Sequence, residues 1–201
     1  MRDSFSFLEH PAVHPRLLKP GGEPWAAAAS WVLEDVLCPG LPTEIYHNLW
    51  QMPLDARPFD DGDLRGMSWR CGFQLPPEPD PQHAESFYRL QRFLDQDLPE
   101  LVGRGLGRKM VRSRPGLTEL MVLRKGSFLE ATAPSEGHRG FLLSLSVGDW
   151  PVEWGGHLET RDAVRSPGWN RLHLFEGGLR IPVLERHVEI LSIHGWLEPC
   201  A

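Results

Sequence analysis

Three histidines in this 201-residue chain stand where a side chain could do chemistry. In His157-Leu158-Glu159 an imidazole and a carboxylate lie two residues apart, and on a strand such a pair shares one face. The pair is suited to part of a metal site or to a simple hydrogen-bonded contact. His173 and His194 sit inside apolar runs, Leu172-His173-Leu174-Phe175 and Ser192-Ile193-His194-Gly195-Trp196. Each is either a buried, hydrogen-bonded core histidine or, facing a cavity, an acid or base poised near neutral pH. Cys38, Cys71 and Cys200 are odd in number, far apart and without C-x-x-C spacing, which predicts free thiols in a reducing cytosol.

Short strands must position these residues. From Leu117 onward, apolar runs divided by Gly, Pro and Asp recur at 117–124, 127–132, 140–147, 156–160, 170–175, 179–184 and 187–197, spaced as in a barrel or sandwich. Upstream, the pattern predicts a strand over 31–37, a helix near 43–52 with Thr43 as N-cap, and a strand over 68–73. A longer helix is predicted over 81–102, with Asp80 capping, Pro81 in its first position and Gly103 and Gly105 ending it. Its apolar residues Phe87, Leu90, Leu94, Leu98 and Leu101 recur every three or four positions. The prolines and glycines of residues 1–24 predict an extended arm, leaving 25–201 as a single domain.

Composition narrows the function classes. A chain with 41% hydrophobic and 24% charged residues is globular rather than disordered. A net charge of −6 supplies nothing to drive counterion release, so no nucleic-acid partner is expected. No apolar run reaches the roughly 20 residues that span a bilayer, and the first ten residues lack a signal-peptide layout, so the expectation is a cytoplasmic protein with no membrane partner. Basic residues are 18 Arg against 3 Lys, a usage associated with GC-rich bacterial genomes.

Five motifs then carry a family resemblance. Asp149-Trp150-Pro151-Val152-Glu153-Trp154-Gly155-Gly156-His157-Leu158 is similar to the "dW-x-x-x-WGG-x-L" stretch of iron- and 2-oxoglutarate-dependent oxygenases of the prolyl 4-hydroxylase-like branch. Trp169-Asn170-Arg171-Leu172-His173-Leu174-Phe175 resembles that family's "FNRLvlF" strand, and Ile193-His194-Gly195-Trp196-Leu197 its closing "l-t-G-W-f". Lys125-Gly126-Ser127-Phe128-Leu129 resembles the "x-G-s-f-L" before the metal motif, Arg139 an arginine before the next strand, and 31–41 the entry strand. The resemblance implies a mainly β fold with flanking helices, a double-stranded β-helix: the jelly-roll, cupin-like barrel.

The resemblance also says where iron chemistry should be. Two ligands, in an H-x-D, would fall on Ala131-Thr132-Ala133, and the third, a histidine, on Gly178 or Leu179. The basic residue for the far carboxylate of 2-oxoglutarate would fall on Ile190, and a frequent helper tyrosine on Leu123. None of these positions keeps a suitable residue, so neither Fe(II) nor 2-oxoglutarate is expected as a cofactor. His157 and Glu159 occupy the "GG-x-L" slot rather than a ligand strand, which favours a hydrogen-bonded pair. Arg180 and Arg186 are replacements for the anion anchor or, more simply, surface arginines. Trp150, Trp154, Trp169 and Trp196 hold motif positions in the barrel core and rim. Trp25, Trp50 and Trp69 lie outside the motifs and are free to line a partner or substrate surface.

The expected function is therefore a pseudoenzyme-like barrel. Its pocket at Leu123, Ala131, Ala133, Gly178, Leu179 and Ile190 would bind a small organic ligand or run metal-independent acid/base catalysis, plausibly in bacterial specialised metabolism. The catalytic candidates are His157, His173, His194, Arg180 and Arg186. Two alternatives stay open: a non-catalytic subunit in a homo- or hetero-dimer with an intact oxygenase, and an active hydroxylase with ligands such as His157 and Glu159.

Overall fold

The computed structural model of the chain describes residues 12–18, 29–60, 62, 64–76, 80, 82–146 and 150–200. Alternating apolar residues from Leu117 onward form the strands of a barrel. They are β5 (Leu117–Leu123), β6 (Phe128–Thr132), β7 (Arg139–Ser144), β8 (Leu158–Thr160), β9 (Val164–Arg165), β10 (Arg171–Phe175), β11 (Gly178–Ile181) and β12 (Ile190–Pro199). Earlier strands β1 (Ser30–Leu33), β2 (Asp55–Asp60), β3 (Leu64–Gln74) and β4 (Met110–Arg112) extend it.

The strands join antiparallel in the order β1-β10-β7-β12-β5-β3-β6-β11-β8-β9, with β2 on β3 and β4 on β12. Such a long twisted ladder curls on itself. The major wall is β1-β10-β7-β12-β5, the minor wall is β6-β11-β8-β9, and β3 pairs with both. The hairpins interleave as expected of a double-stranded β-helix. The seven sequence runs match the seven longer barrel strands to within a few residues, while β2, β4 and the two-residue β9 carry no readable apolar period.

Two apolar cores result. One lies between the outer face of the major wall and the helices, and holds Phe141, Leu143, Leu172, Leu174, Leu191 and Ile193. The other fills the barrel, with Met121, Leu123, Leu129, Ala131, Leu142, Leu179, Ile181 and Ile190. Successive residues of β7 serve the two cores in turn, so Arg139–Ser144 is buried on both faces.

Helix α1 (Leu41–Leu49) begins at Gly40, whose positive φ of 86° turns the chain, rather than at Thr43. The long helix is α2 (Glu85–Arg92), a stretch of wider π-type turns at Phe93–Asp97, and α3 (Leu98–Leu106). It starts after Ala84 because Asp80 instead accepts the Gln82 N–H at 2.9 Å in a preceding turn. The wide turns have a cause in Pro99, which lacks an N–H and whose ring would press on the Asp95 carbonyl in a regular helix. The helix continues through Gly103 and Gly105 and stops at Gly107, which is left-handed with φ 65°.

Of the expected arm, residues 12–18 are described: Val13 pairs with Leu37, Ala12 and Val13 are buried, and Pro15–Leu18 form one tight turn. The rest of 1–24, together with Trp25 and Asp149, lies outside the described residues. Asn170 pins this entry segment to the barrel: its Oδ1 accepts from Leu37 N–H and its Nδ2 donates to Leu37 C=O, both at 2.9 Å. Cys38, Cys71 and Cys200 form no disulfide, and the Cys38 thiol donates to the Val13 carbonyl at 3.1 Å. Among the described residues no helix is long and apolar enough to cross a membrane.

Candidate functional site

Cross-strand partners share a face, so the register sorts the barrel's interior into rows. One row crosses the major wall from Gly72 through Glu119, His194, Leu142 and His173 to Val32. The next, toward the strand ends, sets Trp196 beside Gly140 and Gly140 beside Phe175. Gly140 has to be glycine: a Cβ there would overlap the Phe175 ring and stand 2.8 Å from Trp196 Cζ3. On the other side, Arg70 pairs with Met121 and Met121 with Ser192. The major wall thus turns Arg70, Glu119, Ser192, His194 and His173 inward.

A cavity of about 320 Å³ opens where β5 begins, β12 ends and the 133–138 loop crosses, lined by Arg70, Glu119, His194, Trp196 and Glu198 together with the apolar Leu64, Leu117 and Pro134. Arg70 meets Glu119 at 3.0 Å and lies 4.2 Å over the Phe59 ring. Arg112 bonds Asp95 at 2.7 Å and the Leu117 carbonyl, and Asp95 also accepts the Gly116 N–H at 3.0 Å. Asp95 stands in the π-type turns, so the distortion at Pro99 fixes the turn that presents Arg114 at the rim. Ser135 Oγ and His138 Nδ1 are hydrogen-bonded at 2.8 Å, and His138 Nε2 faces Glu198 at 3.4 Å.

His194 faces this cavity, but not as an acid near neutral pH. Burial first, then Arg70 and Arg114, push its pKa down to about 3, so it is the neutral imidazole at pH 7. It stacks on Phe175 and meets Trp196 edge-on at 5.5 Å. His194 Nε2 and Trp196 Nε1 are both buried and without a protein hydrogen-bond partner. His173 lies deeper, 3% exposed and outside the cavity lining, with its pKa held at about 3 by burial and by Arg171 and Arg165.

The other candidates lie elsewhere. Leu158 points into the barrel, so His157 and Glu159 face outward, 3.0 Å apart. Arg180 joins them at 3.2 Å from Glu159 and 3.8 Å from Glu130, and Arg65 closes this outer ladder at 2.7 Å from Glu130. Arg186 is exposed on the connection after β11. Ala131 is buried opposite Leu64 and Leu179, so of the two expected third-ligand positions Leu179 points inward while Gly178 is exposed opposite Thr132. Ala133 is half-buried, its N–H bonded to Gly177 C=O at 2.6 Å. Leu123 and Ile190 are directly opposite each other and fully buried. Leu64 and Leu179 flank Ala131 on the neighbouring strands, and neither alanine lines the cavity, which lies beside them toward the barrel mouth. Among the described residues no three His, Cys, Asp or Glu side chains gather in a metal-binding group.

Sequence reading missed Arg70, Glu119, Arg114, His138 and Glu198. Glu119, a charge inside the apolar run Leu117–Leu123, was the legible sign. A second, wider groove of about 660 Å³ gathers Trp50 and Trp69 with Tyr46, Trp150 and Trp154. Arg124 lies 4.6 Å over Trp69 and 2.6 Å from Glu189 there.

No protein-family profile matches the sequence, and no curated protein matches it. Solved structures do match. A Pseudomonas putida prolyl 4-hydroxylase superposes with TM-score 0.58 at 17% identity, over 88% of this chain and 95% of its own. A 2-oxoglutarate–Fe(II) oxygenase-family oxidoreductase from Burkholderia pseudomallei gives 0.59 at 13%, over 90% and 92%. The chain has the fold of these oxygenases. The α-ketoglutarate-dependent non-haem epimerase SnoN of nogalamycin biosynthesis is similar too, with TM-score 0.56 at 12% identity, over 87% of this chain and 79% of its own.

Proposed function

We propose that this oxygenase-fold barrel has given up Fe(II)/2-oxoglutarate chemistry and uses its mouth cavity to hold a small organic molecule. The observation that carries the reading is the contrast between the filled former reaction centre and the open, polar mouth. The side chains of Ala131, Ala133 and Leu179 offer no donor atom to a metal. Where the cosubstrate's far carboxylate would sit, Ile190 and Leu123 meet without charge or hydroxyl, both fully buried. A Cβ on Gly156 would stand 2.8 Å from Ile190 Cδ1 and 2.9 Å from Leu184 Cδ1, so this end has no spare volume. The residues present do not fit iron or 2-oxoglutarate.

The mouth, by contrast, combines a polar wall and an apolar wall at a volume suited to a small ligand. Neutral His194 acts there by hydrogen bonding rather than as a general acid. Reading the protein as an active hydroxylase through His157 and Glu159 conflicts with their outward position. Reading it as a partner subunit draws on the aromatic groove around Trp50 and Trp69, since the apolar face of the 85–106 helix is already spent on the core. Metal analysis with thermal melts tests the proposal. The expected result is no stoichiometric iron and a melting temperature unmoved by Fe(II) and 2-oxoglutarate, because a ligand that does not bind the native state cannot stabilise it. Close to one iron per chain would overturn it.

A further inference from the structure

The mouth cavity contains two ring nitrogens whose hydrogen-bonding capacity the protein leaves unused. His194 and Trp196 are 2% and 6% exposed, both line the cavity, and neither His194 Nε2 nor Trp196 Nε1 has a partner. Buried polar atoms are almost always paired, so two orphans beside one void point to something that enters it. Trp196 Nε1 can only donate, and neutral His194 donates from one nitrogen. An acceptor satisfies Trp196 Nε1, and satisfies His194 Nε2 as well when the imidazole carries its proton there.

Charge decides which acceptor. Arg70, Arg112 and Arg114 line the cavity against Glu119 and Glu198. Arg70 is engaged by Glu119, Arg112 by Asp95, and Glu198 stands 3.4 Å from His138, so the lining is near balance and a dianion would meet two glutamates. The arginines that help depress the His194 pKa, Arg70 and Arg114, set a positive field at its ring. Leu64, Leu117 and Pro134 supply the apolar wall for a hydrocarbon body.

We propose that the mouth cavity binds a small organic monocarboxylate, its oxygens accepting hydrogen bonds from Trp196 Nε1 and His194 Nε2 within the field of Arg70 and Arg114. The inference rests on the small-molecule reading above and adds the ligand class. The two rings stand edge-to-face 5.5 Å apart, near enough to serve one head group, and the body packs on Leu64 and Leu117.

Titration of the ¹⁵N-labelled full chain with benzoate, benzamide and inorganic phosphate, followed by indole N–H resonances and calorimetry, tests it. Benzoate is expected to shift the Trp196 indole signal and to bind at least tenfold more tightly than benzamide or phosphate. Trp196→Phe identifies that signal by its absence. Arg114→Gln, at an exposed position, is expected to weaken benzoate at least threefold and leave benzamide unchanged. Benzamide binding as tightly as benzoate, with the same resonance shifted, overturns the carboxylate class and leaves the small-molecule reading standing. Tighter phosphate binding overturns it in favour of a phosphoryl ligand, and benzoate binding without movement of the Trp196 signal overturns the site. No probe moving that signal overturns both readings.

Discussion

The two walls of the barrel share one interior and have opposite chemistry. The major wall turns Arg70, Glu119, Ser192, His194 and His173 inward, and the minor wall offers Leu129, Ala131, Leu158, Leu179 and Ile181. In the family that the motifs resemble, metal ligands come from strands equivalent to β6 and β11, both in the minor wall. Along β6 and β11 that wall is apolar on its inner face, with Thr160 and Arg165 in the inward rows only toward the β8–β9 edge, and Glu130, Glu159 and Arg180 form a ladder outside. Under the proposed reading a ligand would be held from one side, by β3, the major wall and the 112–114 turn.

The sharpest way to break the contrast is to give the minor wall its donors back. The variant Ala131→His, Ala133→Asp, Leu179→His places three ligands on inward positions, and isothermal titration should show Fe(II) binding absent in the parent. The double variant without Leu179→His should bind about tenfold more weakly or worse, since a facial triad needs its third donor and supporting contacts. Gly178→His in place of Leu179→His should add nothing, because that position faces solvent. Equal binding by the two triple variants would show the register to be misjudged.

The next effect concerns packing on the major wall. Gly140→Ala should cost about 3 kcal/mol in urea unfolding, because the new methyl group overlaps Phe175 and crowds Trp196. An unchanged midpoint would contradict the row order described for the mouth.

A smaller effect follows from the two neutral histidines. Folding lowers the His194 and His173 pKa values to about 3, from an ordinary value near 6.5. The unfolded chain binds the extra protons, so this stability is fully present above about pH 6.5 and is lost as pH falls toward 3. Each histidine should contribute a decline of up to about 1.4 kcal/mol per pH unit below pH 6. Urea midpoints at pH 7.5, 6 and 5 should fall progressively, and His194→Gln should flatten the fall. A flat profile in the parent would mean that these rings are protonated or solvated in the fold.

The smallest effect belongs to the outer ladder. Arg180→Ala should change stability by no more than about 0.5 kcal/mol, as its side chain is 62% exposed and water screens its pairs. A loss above 2 kcal/mol would assign the minor wall's outer face a larger part than the account gives it.

The barrel strands were legible because apolar runs, broken by Gly and Pro, matched a known order of motifs. The helix start was not, since Asp80 reads as a cap but bonds Gln82 N–H in a turn before Ala84. The neighbour of Ala131 was not legible for a packing reason: Leu64 arrives opposite it from β3, sixty-seven positions away in sequence. The polar mouth depends on Arg70, Glu119, Arg114 and His138, which four separate segments bring together. Only the alternation of Glu119 within its apolar strand hinted at an inward charge.

The central claim is that the minor wall and the Leu123–Ile190 end no longer receive iron and its cosubstrate. Calorimetric titration of 2-oxoglutarate into the full chain with Mn(II), a redox-stable stand-in for Fe(II), tests it most directly. The account predicts no saturable heat at millimolar 2-oxoglutarate, with or without the metal. A one-to-one isotherm that requires both components would contradict it.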